Sequence, residues 1–192
     1  MAQTEMPLEQ QLIILEILAN KSLSLWNLPH GSVARLLNVS ENTTYLVEAP
    51  NGYKAILRIH RKNYHSYSAI ESELRWLKSL AKKGLVPTPN YYIGRNGKPI
   101  QKAVMEGLKT PRFLVLFEFL EGTAPDGNGD MANEFEELGS IAAKCHNHVL
   151  SWEKPKDFDR ITWDWQSIFG KFPIWGDWRD APEVDEKIIG TA

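Results

Sequence analysis

Arg58 and Glu73 are the first residues in this sequence whose types and positions could do chemistry. Arg58 lies in an alternating stretch that predicts a strand, and Glu73 lies beside Leu74 on the inward side of the helix predicted to follow. A cation held by a carboxylate between a strand and a helix can direct positive charge at nucleotide phosphates. The alternative is an exposed ion pair that adds little to stability, and the sequence alone leaves both interpretations open.

A polar turn precedes this strand and offers a second candidate site. Ser40, Asn42, Thr43 and Thr44 lie in or beside the predicted turn between the first two strands. Phosphate groups bind to free backbone N–H groups, and small hydroxyl or amide side chains leave room for such contacts. The turn has neither a G-x-G-x-x-G nor a Walker pattern, so an ordinary polar hairpin turn remains the alternative.

An apolar run, F-L-V-L-F-E-F-L over residues 113–120, predicts a strand buried on both sides. Where this strand leaves the sheet at Glu121-Gly122, its backbone carbonyls and amides could pair with the edge of an adenine ring. Metal chemistry has no comparable signal, because the histidines lack ligand spacing and Cys145 is the only cysteine. The sequence therefore predicts no metal-binding residues in this chain.

A small sheet and a helix must position these candidates. The segments 32–39, 42–49 and 53–61 alternate as strands do, and Pro50-Asn51-Gly52 between the last two is a strong hairpin signal. An amphipathic helix follows over residues 66–83, with its apolar face formed by Ile70, Leu74, Leu77 and Leu80. The pattern predicts an α+β fold with an antiparallel β-sheet lobe and one covering helix.

The remaining segments suggest how the chain is divided. A first helix is predicted over residues 7–20, a loop over 101–111, a linker over 121–129 and a second long helix over 133–150. Phe135 and Leu138 should face inward on that last helix. We predict an N-terminal helix and lead-in (1–31), a nucleotide-binding β-rich lobe (32–120), and a linker with the start of a helical lobe (121–192).

Composition narrows the class of protein. The 192 residues carry a net charge of −2, which argues against a general nucleic-acid binder. No apolar run approaches the roughly 20 residues of a membrane span, and the N-terminus lacks a basic signal-peptide start. We expect a cytoplasmic protein with no nucleic-acid or membrane partner. Four tryptophans, Trp163, Trp165, Trp175 and Trp178, fall close together near the C-terminus, which we interpret as a sign that the chain is cut short.

Five motifs in order resemble the aminoglycoside phosphotransferase and choline kinase-like superfamily, nearest its homoserine kinase type II-like branch. They are A-I-L-R-I-H-R after the polar turn, E-x-x-x-L-x-x-L, V-P-x-P, V-L-F-E-F-L-E-G and L-G-S-I-A-A-K-C-H. With the tail W-D-W…F-P-I-W-G-D-W-R-D-A-P, the resemblance covers residues 33–182. It implies a protein-kinase-like fold and transfer of the ATP γ-phosphate to a hydroxyl of a small molecule, with Mg²⁺ as cofactor.

The resemblance also implies roles for individual residues. Residues 40–44 would form the nucleotide loop, Arg58 would contact phosphate with Glu73 as its helix partner, and Phe117 would border the adenine pocket. Glu118 and Leu120 would offer backbone groups to adenine. His146 matches the helix-ending histidine of the superfamily, which is interpreted as structural.

One departure from the superfamily bears on catalysis. A His-Gly-Asp-type loop, a downstream Asn and a metal-binding Asp have no counterpart in the sequence, and the residues that hold Mg²⁺ are expected in a C-terminal segment beyond it. We therefore expect a phosphotransferase represented by its ATP-binding lobe, inactive as these 192 residues alone. The alternative is a non-catalytic nucleotide-binding or protein-interaction module. The hydroxyl acceptor and the oligomeric state cannot be predicted.

Overall fold

A computed structural model of the chain describes residues 6–122, 131–181 and 184. The chain divides into two compact units, Met1–Phe158 and Asp159–Ala192. The lobe boundaries predicted at residues 31 and 120 stay predictions. The predicted linker lies mostly outside the described residues.

The first unit contains one antiparallel sheet of five strands. Its strands are β1 (Val33–Val39), β2 (Thr43–Glu48), β3 (Lys54–Ile59), β4 (Gln101–Ala103) and β5 (Arg112–Glu118), in the order β1-β2-β3-β5-β4. The prediction of a loop throughout 101–111 was wrong at β4, which pairs with the start of β5 through Gln101 and Leu114. A three-residue strand is too short to show a period of two.

Helix α2 (Tyr67–Lys83) has the ends that its sequence predicts. Ser66 caps the N-terminus, where its hydroxyl accepts a hydrogen bond of 3.0 Å from the N–H of Ala69. Gly84 ends the helix in the left-handed conformation, with φ of 61°. Because both ends are fixed, the side chains between them, including Glu73, have a defined direction relative to the sheet.

Two helices cover the two faces of the sheet. Helix α1 (Leu8–Ser22) packs its residues Leu15, Leu18 and Ala19 onto one face. Helix α2 packs Ile70 and Leu74 onto the other. The predicted α+β fold, an antiparallel sheet with a covering helix, is confirmed, and α1, predicted as part of the N-terminal lead-in, is a second cover.

Helix α3 (Ala132–Ser151) departs from its predicted orientation. Phe135 and Leu138 were expected to face inward but are 63% and 57% exposed, and His148 is the one fully buried residue of this helix. His146 is exposed, so the buried structural histidine is His148. His148, in the last turn of α3, contacts Trp76 and Ser79 of α2, whereas Phe135 and Leu138 lie near the other end of α3.

The second unit is small, with a short helix α4 (Trp165–Phe169) and a 3₁₀ turn (Trp178–Asp180). A capping box between Asp164 and Ser167 begins α4. Trp163 and Trp165 are 70% and 69% exposed. Within the described ranges, none of the helices has the length and hydropathy needed to cross a membrane.

Candidate nucleotide-binding site

The register of three strands brings Thr44 and Arg58 together. In the sheet, Thr44 lies opposite Arg58, and Arg58 lies opposite Val115. Residues directly opposite each other in antiparallel strands share a face, and Val115 packs with α2. Thr44 and Arg58 therefore lie on the face of the sheet that α2 covers.

Arg58 is held in place by two contacts. Its Nη2 donates a hydrogen bond of 2.7 Å to Oε1 of Glu73 on α2, and the two side chains are only 21% and 17% exposed. Its guanidinium lies 4.8 Å from the ring centroid of Phe117 on β5, within range of a cation–π contact. The predicted pair is thus a half-buried link between strand and helix rather than an exposed surface pair.

The guanidinium retains capacity for a further acceptor. Its Nε is buried and makes no hydrogen bond to any described residue. An arginine has five N–H donors in a planar fork that matches phosphate oxygens. A single carboxylate oxygen therefore leaves donors of Arg58 for an anionic ligand.

An apolar surface lies beside this cation, and sequence reasoning missed two of its three residues. Leu46, Ile56 and Phe117 form a row across β2, β3 and β5 on the face shared with Arg58. Leu46 and Ile56 are half-buried, so part of each faces outward. Leu46 is two residues after Thr44, and Ile56 is two residues before Arg58. Because side chains two apart in a strand lie on the same face, this alternation could have predicted both residues from the sequence.

The residues of the polar turn do not all lie on the sheet face that carries Arg58. Thr43 is buried on the opposite face, together with Tyr45 and the α1 core. Ser40 is exposed, and its N–H donates to the carbonyl of Asn42 at 3.0 Å. The Asn42 side chain accepts a hydrogen bond from the backbone N–H of Arg61 at 3.2 Å. Thr44 is thus the one candidate of this turn placed next to Arg58 by the sheet register.

The predicted hinge residues lie at the end of β5. The N–H of Glu118 donates to the carbonyl of Asn90 at 2.8 Å, and the carboxylate of Glu118 accepts from Nδ2 of Asn90 at 2.9 Å. The N–H of Glu118 is therefore already used within the fold. Leu120 lies beyond the strand and is 46% exposed.

These residues match the chemistry of a nucleotide. A half-buried cation suits phosphate, and the flat apolar row beside it suits an adenine ring. Among the residues that the structure describes, no group of three or more His, Cys, Asp or Glu could hold a metal ion. The arrangement thus fits ATP, but it identifies no residues for Mg²⁺.

Comparison with known proteins identifies the family of this chain. A sequence model of the phosphotransferase enzyme family matches residues 32–180, and the chain belongs to that family. The predicted resemblance is confirmed. No match was found among curated proteins.

Two solved structures show the same fold. A microcompartment-associated aminopropanol kinase is 37% identical, with a TM-score of 0.78, over 89% of this chain and 52% of that one. The amicoumacin kinase hAmiN, solved with AMP-PNP, Ca²⁺ and Ami, is 20% identical, with a TM-score of 0.64, over 82% of this chain and 47% of that one. The chain therefore spans about half the length of each of these two kinases.

Proposed function

We propose that this chain forms the nucleotide-binding lobe of an ATP-dependent phosphotransferase that transfers the γ-phosphate to a hydroxyl of a small molecule. The observation that carries the proposal is the half-buried ion pair of Arg58 and Glu73, 2.7 Å apart beside the Leu46, Ile56 and Phe117 row. Family membership supports the reaction class. The cytoplasm, where ATP is available and a lone cysteine stays reduced, is the proposed location.

The proposed roles follow from the chemistry of each group. Arg58 contacts the phosphates, and Glu73 fixes the direction of its guanidinium, as a strand cation and helix carboxylate do in protein kinases. Thr44 adds a hydroxyl beside Arg58. Adenine packs on the Leu46, Ile56 and Phe117 row, and the backbone at Leu120 pairs with its edge.

The transfer itself forms a bond between the acceptor oxygen and the γ-phosphorus and breaks the bond between that phosphorus and ADP. It needs a base to take the hydroxyl proton, and a bound Mg²⁺ that would neutralise charge on the phosphates. The sequence has no His-Gly-Asp-type segment. We therefore propose that residues 1–192 bind nucleotide but do not catalyse transfer by themselves.

A small amino alcohol with a primary amine and no carboxylate is the acceptor that we propose. Its support is the 37% identity to an aminopropanol kinase over 89% of this chain. The corresponding measurement is ADP release by the complete gene product when it is offered 1-amino-2-propanol, homoserine, choline or an aminoglycoside. Turnover of homoserine, choline or the aminoglycoside in preference to 1-amino-2-propanol would contradict this choice of acceptor.

The nucleotide site is tested by titrating the 192-residue protein with MgATP in a calorimeter. Arg58→Ala should weaken binding by roughly ten- to hundredfold, since a hydrogen bond to a charged group contributes about 1.5–3 kcal/mol. Glu73→Gln, which keeps the shape but removes the charge, should weaken it less.

A matched control lies on the same helix. Arg75 pairs with Glu71 at 3.0 Å and with Asp157 at 2.9 Å, and its side chain is 39% exposed, so Arg75→Ala removes an arginine and its ion pairs away from the site. If folded Arg58→Ala protein bound MgATP as tightly as Arg75→Ala protein, the proposed site would be refuted.

A non-catalytic interaction module is the second candidate, favoured by the exposed aromatic side chains of the second unit. Phe172 is 84% exposed, Trp163 is 70% exposed and Trp165 is 69% exposed. Exposed apolar groups in one place are typical of interaction surfaces. Under this alternative the complete gene product would bind nucleotide without releasing ADP in the presence of any amino alcohol.

A further inference from the structure

A cavity of about 490 Å³ lies on the α1 side of the sheet, opposite the face that carries Arg58. It is bounded by α1, by the turn between β1 and β2, by the segment after β3, and by the start of β5. Leu8, Leu12 and Leu15 make its α1 wall apolar, while Arg61, Lys62 and Arg112 line the sheet end. The two walls thus differ in chemistry.

Arg112 is the unusual member of this lining. It is only 7% exposed, and among the described residues its guanidinium donates a hydrogen bond from Nη1 to the hydroxyl of Thr110 at 2.9 Å. No carboxylate of the described residues forms an ion pair with it. A guanidinium stays protonated in proteins, and a buried charge without a partner is costly. Burial alone lowers the pKa of Arg112, as expected where no acid compensates it.

Positive charge dominates the surroundings of Arg112. A second cavity, of about 330 Å³, borders the same three cations, Arg61, Lys62 and Arg112. His60 lines both cavities, and His65 lines the second. On the described part of both walls, Glu41 is the lone carboxylate. The charge of these walls therefore favours an anion with more than one negative charge.

We propose that the larger cavity binds the phosphate group of a small phosphorylated molecule, separate from the nucleotide. Arg112 and Lys62 contact the phosphate oxygens, and the apolar wall of α1 packs against the rest of the ligand. A phosphate monoester carries nearly two negative charges at neutral pH, which suits several cations better than a carboxylate does. The planar fork of arginine matches two oxygens of one phosphate.

The proposed site is linked to the turn between β1 and β2. Thr43 lines the cavity, whereas its neighbour Thr44 lies on the Arg58 face. The N–H of Arg61 donates to the Asn42 side chain at 3.2 Å, which ties the cationic segment to that turn. A ligand held by the cationic segment would therefore act on the same turn from the side away from Arg58.

The test measures binding of phenyl phosphate, inorganic phosphate and benzoate to the 192-residue protein by calorimetry at constant ionic strength. Phenyl phosphate should bind most tightly, because it offers both the dianion and an apolar ring, whereas inorganic phosphate lacks the ring and benzoate the second charge. Equal binding of the three probes, or none, would overturn the proposal. If inorganic phosphate bound tightly and phenyl phosphate did not, the cations would still bind phosphate, but the proposed contact between the ligand and the α1 wall would be overturned.

Two variants locate the site. Lys62→Ala changes an exposed side chain and should weaken phenyl phosphate binding roughly tenfold, the effect of about 1.4 kcal/mol. Arg112→Lys keeps the charge but loses the fork and should weaken it similarly. Lys98→Ala, which removes the same charge from an exposed turn that lines neither cavity, should leave binding unchanged.

Arg58→Gln separates this site from the nucleotide site. It should weaken MgATP binding and leave phenyl phosphate binding intact. If Arg58→Gln abolished phenyl phosphate binding while Lys62→Ala did not, the ligand would lie on the nucleotide face. That result would overturn the second site and leave the proposed function standing. If Arg112→Lys protein fails to fold, the effect of Lys62→Ala on phenyl phosphate binding tests the site by itself.

Discussion

The two faces of the sheet bury different chemistry. On the α1 face, Tyr45, Val47 and Leu57 are completely buried in an apolar core with α1. On the α2 face, the apolar cluster of Ile70, Leu74, Ile100, Val115 and Phe117 is smaller, and the half-buried Arg58 and Glu73 lie beside it. One alternating strand, β3, supplies residues to both.

This difference separates stability from binding within a single strand. The α1 face removes more apolar area from water, which is the dominant stabilising contribution in folding. The α2 face keeps half-buried groups that a ligand can reach. Substitutions on the α1 face should therefore lower stability, and substitutions on the α2 face should mainly lower ligand affinity. Neighbouring residues of β3, which point to opposite faces, allow a direct test.

Leu57→Ala has the largest expected effect. Leu57 is 0% exposed on the α1 face, so its truncation should lower the free energy of unfolding by about 2–5 kcal/mol through lost burial and a cavity. Urea denaturation followed by circular dichroism measures the loss. The protein that remains folded should bind MgATP with unchanged affinity, because Leu57 faces away from Arg58.

Ile56→Ala is the matched change on the other face. Ile56 is half-buried between Leu46 and Phe117, so its truncation should lower the unfolding free energy by less than about 2 kcal/mol. MgATP affinity should fall severalfold, since the adenine ring would lose apolar contact. If Ile56→Ala lowered the unfolding free energy more than Leu57→Ala, the claim that the α1 face contributes more to stability would be contradicted.

The α2 face was largely predictable because its signals are local. Alternation placed Arg58 on a strand, the apolar spacing around Glu73 gave the inward side of α2, and the predicted range of 66–83 agrees with the observed Tyr67–Lys83. The same period of two, continued past Arg58, would also have found Ile56. Local patterns of this kind need no knowledge of the partner element.

What the sequence did not predict depends on contacts distant in the chain. Helix α1 covers a face of a sheet that begins only at Val33, and β4 exists because β5 offers it an edge. His148 is buried, and the exposed His146 is not, because α2 meets one side of α3 there. The charge of Arg112 gives no signal in the sequence, because only the fold shows that none of the described carboxylates forms an ion pair with it.

The packing of α2 against α3 should make stability depend on pH through His148. Nε1 of Trp76 donates to Nδ1 of His148 at 3.3 Å, so the ring is neutral there with its proton on Nε2, facing the Ser79 hydroxyl at 3.0 Å. Burial, and then the nearby charge of Lys83, lower the pKa of His148. The unfolded chain, with an ordinary histidine pKa of about 6.5, binds the proton more readily.

Stability should therefore fall as the pH drops below about 6.5, until the folded state also takes up the proton. Urea denaturation at a series of pH values gives this slope. His148→Gln should flatten it, while His146→Gln, a change at an exposed position two residues away, should preserve it. An equal slope in wild type and His148→Gln protein would assign the pH dependence to other groups.

Ser66→Ala has the smallest expected effect and tests how firmly the α2 face must be held. Losing the acceptor of the Ala69 N–H should lower the unfolding free energy by about 1 kcal/mol, and Ser66→Asp, which keeps an acceptor, should restore it. MgATP affinity should stay unchanged well below the melting temperature, because Glu73 lies beyond the first turn and Ile70 and Leu74 still anchor the helix. A weakened affinity in Ser66→Ala that Ser66→Asp restores would mean that the ion pair depends on the entire helix, and the two faces would then differ less than their packing suggests.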